Sequence, residues 1–187
     1  MKKLLSAVLF ASVMVGSLAA AAPPALAEEV SCSGSLGAIT VDNLRVPQDA
    51  SCTLNGTRIQ GALKVERNAA LNARNINVVG NVQAENHRSV VVTDSTVGGS
   101  VQFDQGGFYR VINSDVEGSI QIKQNSGASR LARNDVNQDV QVFNHQGGIA
   151  IANNAIDGNL QCKENVPAPT GSGNVVRGNK EDQCRNL

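Results

Sequence analysis

A four-residue segment recurs along the chain with a period of about 19 to 20 residues, and this repeat restricts the possible folds more than any other feature. The copies begin at residues 61, 80, 99, 118, 138 and 158, and five of the six end in Gln. Their sequences are GALK, GNVQ, GSVQ, GSIQ, QDVQ and GNLQ. A period of this length is typical of solenoids, in which each repeat, or rung, stacks on its neighbours.

Apolar residues alternate with polar ones inside each rung. In the second copy Val82 and Ala84 flank Gln83, and a second alternating pair, Val90 and Val92, follows. A spacing of two is typical of a short strand with one buried face. A third apolar position closes each rung, at Val78, Val97, Val116, Val136, Ile156 and Val176. The pattern therefore predicts two or three short strands in every rung.

The segments between these strands contain residues that favour tight bends. Pairs such as Asn113-Ser114 and Asn153-Asn154 precede the closing apolar residue, and most rungs begin with Gly. Asn and Asp tolerate left-handed backbone angles, and Gly adopts them freely. We therefore predict an all-β fold, a single-stranded parallel β-helix (β-solenoid) with about six to seven rungs of 19–20 residues.

Residues 1–27 have the composition of a secretory signal peptide. Lys2 and Lys3 precede an apolar stretch over residues 4–22, and Ala25-Leu26-Ala27 provides a small-x-small cleavage site. The alternative, a membrane anchor, is disfavoured by Pro23-Pro24 and by the lack of a basic cluster after them. We expect a secreted or extracytoplasmic chain, in the periplasm or at the cell surface, with no membrane span once this peptide is cleaved.

The rest of the chain consists of three parts that differ in how closely they follow the repeat. Residues 28–60 predict an N-terminal cap with a first partial rung, and residues 61–164 predict the regular rungs. Residues 165–187 predict a C-terminal loop and cap, because Pro167 and Pro169 interrupt the strand pattern and remove backbone donors near the open end.

All four cysteines lie after residue 27, and an even number is typical of disulfides in an oxidising compartment. Three pairings are possible. Cys32 and Cys52 are separated by about one rung, and so are Cys162 and Cys184. Because stacked positions lie about 5 Å apart, we predict Cys32–Cys52 and Cys162–Cys184 bridges, one at each end, each stabilising the fold by about 2–4 kcal/mol. A four-thiolate zinc site would bring the two ends together, so neither a metal nor another cofactor is predicted.

The charge balance argues against a nucleic-acid partner. The chain has 16 basic and 16 acidic side chains, and without Lys2 and Lys3 the basic count falls to 14, a formal net charge of −2. A nucleic-acid-binding domain would carry a basic excess. The remaining candidate partners are a glycan and another protein of the cell envelope, and the sequence leaves the oligomeric state open.

The most regular outward position is the residue after the first inward apolar residue of each rung. We call this set the amide column: Gln83, Gln102, Gln121, Gln141 and Gln161. Stacked amides can hydrogen-bond along the rod, as Gln ladders do in cross-β assemblies. One interpretation is that Gln only tolerates a solvated strand face. The other is a flat polar face that contacts a glycan or a protein, with these five residues as the binding residues.

Two other sets of residues have side chains of the types that bind metals or catalyse hydrolysis. His87 and His145 each occupy the eighth position of a rung, where we expect solvated corner residues. Three rungs separate them, about 14 Å at the inter-strand spacing, which is too far to bind one metal ion. Asp94, Asp104 and Asp115 occupy positions 15, 6 and 17 of their rungs and need not share a face. Glycoside hydrolysis uses two carboxylates around one bond, so no catalytic residue is predicted.

The C-terminal segment resembles that of a known group of proteins. The runs from Gly158 to Asn165, from Pro167 to Gly171 and from Gly178 to Cys184 are similar to the C-terminal signature of exported bacterial repeat proteins of uncharacterised function. The resemblance covers most of the chain after residue 27 and implies an extracytoplasmic β-solenoid without assigned catalytic residues. The rung pattern is also similar in kind to that of the bactofilin filament-forming solenoids.

These observations predict a non-enzymatic secreted or cell-envelope protein whose rigid polar face serves adhesion, surface association, or contact with a glycan or protein. The alternative is a small polysaccharide-acting enzyme, a lyase or hydrolase of the β-helix type. Converging carboxylates in a groove would favour the enzyme, and a flat ladder of amides would favour binding.

Overall fold

The computed structural model describes residues 28–187, and the predicted signal peptide lies outside the described residues. Within that range the chain coils through three parallel sheets and contains no helix. Each circuit adds one strand to nearly every sheet, and about eight circuits are completed. The predicted all-β parallel β-solenoid is therefore confirmed.

The strands belong to a nine-stranded, a seven-stranded and an eight-stranded sheet. The nine-stranded sheet contains Glu29–Ser31, Asn43–Val46, Leu63–Val65, Val82–Glu85, Val101–Asp104, Ile120–Lys123, Val140–Phe143, Leu160–Lys163 and Lys180–Asp182. The seven-stranded sheet contains Gly34–Leu36, Ser51–Asn55, Ala70–Arg74, Ser89–Thr93, Phe108–Ile112, Ser129–Ala132 and Ile149–Ala152. The eight-stranded sheet contains Thr40–Val41, Arg58–Ile59, Asn77–Val78, Thr96–Val97, Asp115–Val116, Asp135–Val136, Ala155–Ile156 and Val175–Val176.

Equivalent residues of successive rungs lie on top of one another in every sheet. In the nine-stranded sheet Val101 pairs with Ile120 of the next rung. In the seven-stranded sheet of the same two rungs, Arg110 pairs with Arg130. The sequence separation of this pair is one residue longer than that of Val101 and Ile120. The additional residue is accommodated in the corner between these sheets, so the strands on both sides keep their alternation of inward and outward residues.

The inward residues form one continuous hydrophobic core along the axis. It consists mainly of Val, Ile, Leu and Ala, as the low aromatic content requires. One row of this core contains Leu63, Val82, Val101, Ile120 and Val140, each at most 2% exposed. Because the equivalents above and below cover each of these side chains, burial depends on neighbouring rungs and not on any rung alone.

Asparagine side chains complete the hydrogen bonds of the corner between the seven- and eight-stranded sheets. The backbone N–H of Asn134 donates to Oδ1 of Asn154 (3.0 Å), and that of Asn154 donates to Oδ1 of Asn174 (3.1 Å). The Nδ2 group of Asn154 donates in turn to the carbonyl of Leu131 (3.2 Å). A buried N–H without a partner would cost about 1–3 kcal/mol. These corner residues therefore join one rung to the next, in addition to allowing the bend.

The glycine that begins most rungs lies where consecutive rungs approach closely. A Cβ atom at Gly80 would lie 2.7 Å from the carbonyl oxygen of Gly61, and one at Gly118 would lie 2.7 Å from that of Gly99. Neither Gly80 nor Gly118 has a positive φ. Steric contact between rungs, and not an unusual backbone angle, is thus the reason for Gly at this position.

Both predicted disulfides are present, Cys32–Cys52 and Cys162–Cys184, with Cα–Cα distances of 5.7 and 5.3 Å. The bonded cysteines are not stacked equivalents, because Cys162 pairs in register with Asp182, two residues before its disulfide partner. The N-terminal bridge has the same offset of two residues. Cys32 and Cys184 are 3% and 0% exposed. The bridges therefore fix the two terminal segments over the ends of the core.

The ends of the solenoid differ from the middle. Residues 28–60 already contribute two strands to each sheet, which brings the total above the six to seven rungs expected from the repeat. At the other end residues 183–187 leave the sheets, and the side chain of Leu187 packs against the core with 9% exposure. The ammonium group of Lys180 donates to the carbonyl of Leu187. This short tail thus covers apolar side chains that no further rung covers.

We expect the substitution Ile122→Ala to destabilise the protein by about 2–5 kcal/mol, because it leaves a cavity in the core. Ile122 is fully buried, and its register neighbours are Phe103 and Val142. The adjacent outward substitution Lys123→Ala is the matched control and should cost less than about 0.5 kcal/mol. Urea denaturation followed by circular dichroism measures both values. Equal losses would contradict the inward and outward assignment of this strand.

Candidate functional site

The structure places the whole amide column on the outward face of the nine-stranded sheet. Gln83 pairs in register with Gln102, Gln102 with Gln121, Gln121 with Gln141, and Gln141 with Gln161. The sequence therefore identified correctly which residues share this line. The preceding rung contributes Lys64 and the last rung Glu181, so the column is cationic at one end and anionic at the other.

Hydrogen bonds run along the amide column in two separate segments. In the first, Nε2 of Gln83 donates to Oε1 of Gln102 (2.9 Å), and Nε2 of Gln102 donates to Oε1 of Gln121 (3.1 Å). The second segment runs from Gln141 to Gln161 (2.9 Å) and on to Glu181 (3.0 Å).

The ladder is interrupted at one step. No hydrogen bond joins Gln121 to Gln141 among the described residues, although the two are register partners. Nε2 of Gln121 and Oε1 of Gln141 therefore each keep hydrogen-bonding capacity. Among the other amides of the column, only Oε1 of Gln83, at its end, also has no ladder partner within residues 28–187. This step is the point of the column where a ligand could insert a donor and an acceptor.

An aromatic ring lies beside the interruption. Phe143 follows Gln141 by two residues on the same strand and is also outward and partly exposed. Two strand positions span about 7 Å, so the ring and the amide can contact one small ligand. Phe143 was not among the predicted binding residues, although Val140 and Val142 are inward and alternation alone puts Phe143 outside.

Next to the column is a surface depression of about 500 Å³. Its lining consists of Lys64, Val65, Gln83, Ala84, Glu85, Gln102, Phe103, Asp104, Gln121 and Lys123. Glu85, Asp104 and Lys123 form a second outward column parallel to the amides. One carboxylate oxygen of Asp104, Oδ1, is buried without a hydrogen-bond partner among the described residues. The depression therefore offers amide, carboxylate and ammonium groups side by side.

The three carboxylates considered for catalysis do not converge. Asp94 lies in a corner, where it accepts a hydrogen bond from Asn113 (2.7 Å) and pairs with Arg74 (3.2 Å). Asp104 is on the nine-stranded sheet and Asp115 is on the eight-stranded sheet. The three carboxylates thus lie on three different surfaces, as their different positions in the rung suggested.

The prediction that both histidines are solvated corner residues is wrong. His87 is 2% exposed and His145 is 0% exposed. In each case the preceding residue, Asn86 or Asn144, adopts a positive φ and takes the solvent side of the corner. The bend then turns the following imidazole into the core.

The two imidazoles belong to a row of rings inside the solenoid. The ring centroid of His87 lies 5.5 Å from that of Phe103, Phe103 lies 5.7 Å from Tyr109, and Tyr109 lies 5.4 Å from His145. Small residues make room for the row. A Cβ at Gly106 would collide with the ring of His87.

Burial disfavours the protonated form of both imidazoles. It lowers the pKa of His87 to about 4 and also lowers the pKa of His145. Nε2 of His145 lies 3.1 Å from the carbonyl oxygens of Gly127 and Gly148. Neither ring nitrogen of His87 has a partner among residues 28–187. Burial likewise raises the pKa of Tyr109.

No protein-family model, curated protein or solved structure matches the chain. The resemblance to exported bacterial repeat proteins and to bactofilins therefore stays a prediction. Within residues 28–187 no helix is long and apolar enough to cross a membrane. The same residues contain no group of three or more His, Cys, Asp or Glu side chains arranged to hold a metal ion.

Mild acid should destabilise the protein through His87. Its folded pKa of about 4 lies below the ordinary value of 6.5, so the unfolded chain takes up a proton at a higher pH than the folded one. The free energy of unfolding should therefore fall by about 3 kcal/mol between pH 7.5 and pH 4 from this group alone, and level off below that. Urea denaturation at a series of pH values measures this dependence.

The variant His87→Leu is the control for this titration. Leu fills the site with an apolar side chain that cannot bind a proton, so the pH dependence of stability should lose the contribution of His87. His145→Leu should reduce the dependence in the same direction, because burial also lowers the pKa of His145. An unchanged pH dependence in His87→Leu would contradict the assignment.

Proposed function

We propose that this protein is a non-enzymatic, secreted or cell-envelope binding protein that presents its nine-stranded face to a neutral glycan. The observation that carries the proposal is the interruption between Gln121 and Gln141 beside Phe143. The remaining amides of the column are engaged with one another, so the ligand is expected at this step.

The chemistry of the interruption suits a sugar hydroxyl. A hydroxyl group donates one hydrogen bond and accepts others, so it can accept from Nε2 of Gln121 and donate to Oε1 of Gln141. Such an insertion would continue the ladder through the ligand. A neutral glycan offers many hydroxyls and needs no ionic partner.

Phe143 adds an apolar surface to these polar contacts. Binding sites commonly combine aromatic surface with a few polar groups that fix the orientation of the ligand. The ring is outward on the same strand as Gln141, and the C–H groups on one face of a sugar can pack on it. The two amides would then contact the hydroxyls at the edge of that sugar.

The rigidity of the face favours binding. Each of the two strands that carry the site is paired on both sides, and their inward residues Ile122 and Val142 are fully buried. The backbone of such a framework has little freedom to lose, and pre-organisation of this kind reduces the entropic cost of association.

Two observations support an extracytoplasmic location. The disulfides Cys32–Cys52 and Cys162–Cys184 are typical of an oxidising environment. Residues 1–27 have the composition expected of a secretory signal peptide. In such a location glycans and envelope proteins are the available partners.

The position of the carboxylates also favours binding over catalysis. Most glycoside hydrolases use two carboxyl groups around one scissile bond. Asp94, Asp104 and Asp115 lie on three different surfaces. Glu85 and Asp104 are neighbours, but they stack in one column, on the same side of a ligand lying along the rod.

Immobilised neutral polysaccharides provide the test. The wild-type chain should bind at least one of them, and Phe143→Ala and the double variant Gln121→Ala/Gln141→Ala should each weaken binding about tenfold, equivalent to about 1.4 kcal/mol. Biolayer interferometry measures the affinities. Neither change touches the core, so the melting temperature should stay close to that of the wild type.

The matched control is the double variant Gln48→Ala/Gln60→Ala. These two glutamines are exposed, but both precede residue 61 and lie more than two rungs from Gln121, Gln141 and Phe143. Their loss should leave binding unchanged. Equal weakening by both double variants, or release of reducing ends from the bound polysaccharide, would contradict the proposal, the second result in favour of an enzyme.

A further inference from the structure

Two arginines are stacked on a different face, the outward surface of the seven-stranded sheet. Arg110 and Arg130 are register partners in adjacent strands, and both are exposed. Paired residues of neighbouring strands are about 4.8 Å apart. Like charges placed directly opposite one another in a sheet are destabilising, so this arrangement is unfavourable for the free protein.

No ion pair within the described part of the chain compensates the two charges. The ion pairs formed within residues 28–187 involve Arg45, Arg74 and Arg177, and neither Arg110 nor Arg130 takes part in any of them. The register partners on either side of the pair are also uncharged, since they are Val91 and Ala150.

The surroundings of the arginine pair are apolar. On the strand of Arg110 the other outward residues are Phe108 and Ile112, and both are partly exposed. Val91 and Ala150, on the strands to either side, are partly exposed as well. Together these four side chains form a flat surface of small and medium-sized apolar groups. Charges on such a surface interact more strongly than charges in bulk water.

One guanidinium is held in place. The guanidinium carbon of Arg110 lies 5.0 Å from the centroid of the Phe108 ring, a cation–π contact that restricts the side chain. A positioned guanidinium loses less freedom when it binds an anion. This contact is a second observation, independent of the charge, that favours a ligand at the pair.

We propose that Arg110 and Arg130 form a binding site for a carboxylate or sulfate group of an acidic polysaccharide. Each guanidinium can donate two parallel hydrogen bonds to one oxyanion. The apolar surface around the pair would contact the C–H groups of the sugar that carries the anion. This site goes beyond the proposed function and does not depend on it, because it lies on another sheet and selects another class of glycan.

The overall charge favours a glycan over other anionic partners. Residues 28–187 have 14 basic and 16 acidic side chains, 16 of each in the whole chain less Lys2 and Lys3. Binding to nucleic acid or to an anionic membrane surface draws on many cations acting together. One uncompensated pair on a chain with a net charge of −2 instead suits a single carboxylate or sulfate group of a sugar chain.

Oligogalacturonate and heparin oligosaccharides are the probes, and dextran is the neutral control. We expect the full chain to bind an acidic probe through these two arginines, whereas any binding of dextran should not depend on them. Arg110→Gln and Arg130→Gln should each weaken binding about tenfold, and the double variant should abolish it. Arg110→Lys keeps the charge but not the two-pronged donor, so it should still weaken binding several-fold. Isothermal titration calorimetry measures each affinity.

Arg58→Gln is the matched control. Arg58 is an exposed arginine on the eight-stranded sheet, where it donates to Asn77 (3.0 Å), and its loss should leave binding unchanged. The melting temperature of the double variant without ligand should equal or exceed that of the wild type, because like-charge repulsion is removed.

Four results would overturn the proposal. They are the absence of binding to both acidic probes, equal weakening by Arg58→Gln, a lower melting temperature in the double variant, and binding of anionic vesicles with the same dependence on the two arginines. The third would make the pair structural, and the fourth would assign it to a membrane.

Discussion

The inward side chains of the solenoid are buried by their equivalents one rung away, and the rest of the structure depends on this contact. Val101 is covered by Val82 on one side and Ile120 on the other, so no rung has a core of its own. Corner residues follow the same rule, since Asn134 and Asn154 satisfy backbone groups across rungs. At the two ends, where a neighbour is missing, disulfides and a short tail take its place.

Because the interior is fixed in this way, the exterior becomes a set of flat faces with straight columns of side chains. Each sheet has its own chemistry. The nine-stranded face carries amides with an aromatic ring beside their one interruption, and the seven-stranded face carries an arginine pair on an apolar surface. A single strand cannot provide such sites, whereas stacking places side chains from successive rungs within reach of one ligand.

Most of the fold could be predicted because residues one period apart in the sequence stack on one another in the structure. The period aligned Gln83 with Gln102 and brought Cys162 near Cys184, and both inferences hold in three dimensions. The environment of the corner residues could not be predicted in the same way. His87 looked like a polar corner residue, but the bend is completed by Asn86 in a positive φ, which turns the imidazole inward. A period gives the position along a rung and not the direction in which a bend points its side chains.

The sequence by itself determined the winding, the residues that stack and the bridges at the two ends, because these follow from spacing. Only the tertiary structure decided which stacked groups satisfy one another. It alone shows that the amide ladder is broken between Gln121 and Gln141, and that Arg110 and Arg130 take part in no ion pair within residues 28–187. The physical reason is that hydrogen bonds and ion pairs depend on side-chain geometry within a few ångströms, which a linear pattern does not contain.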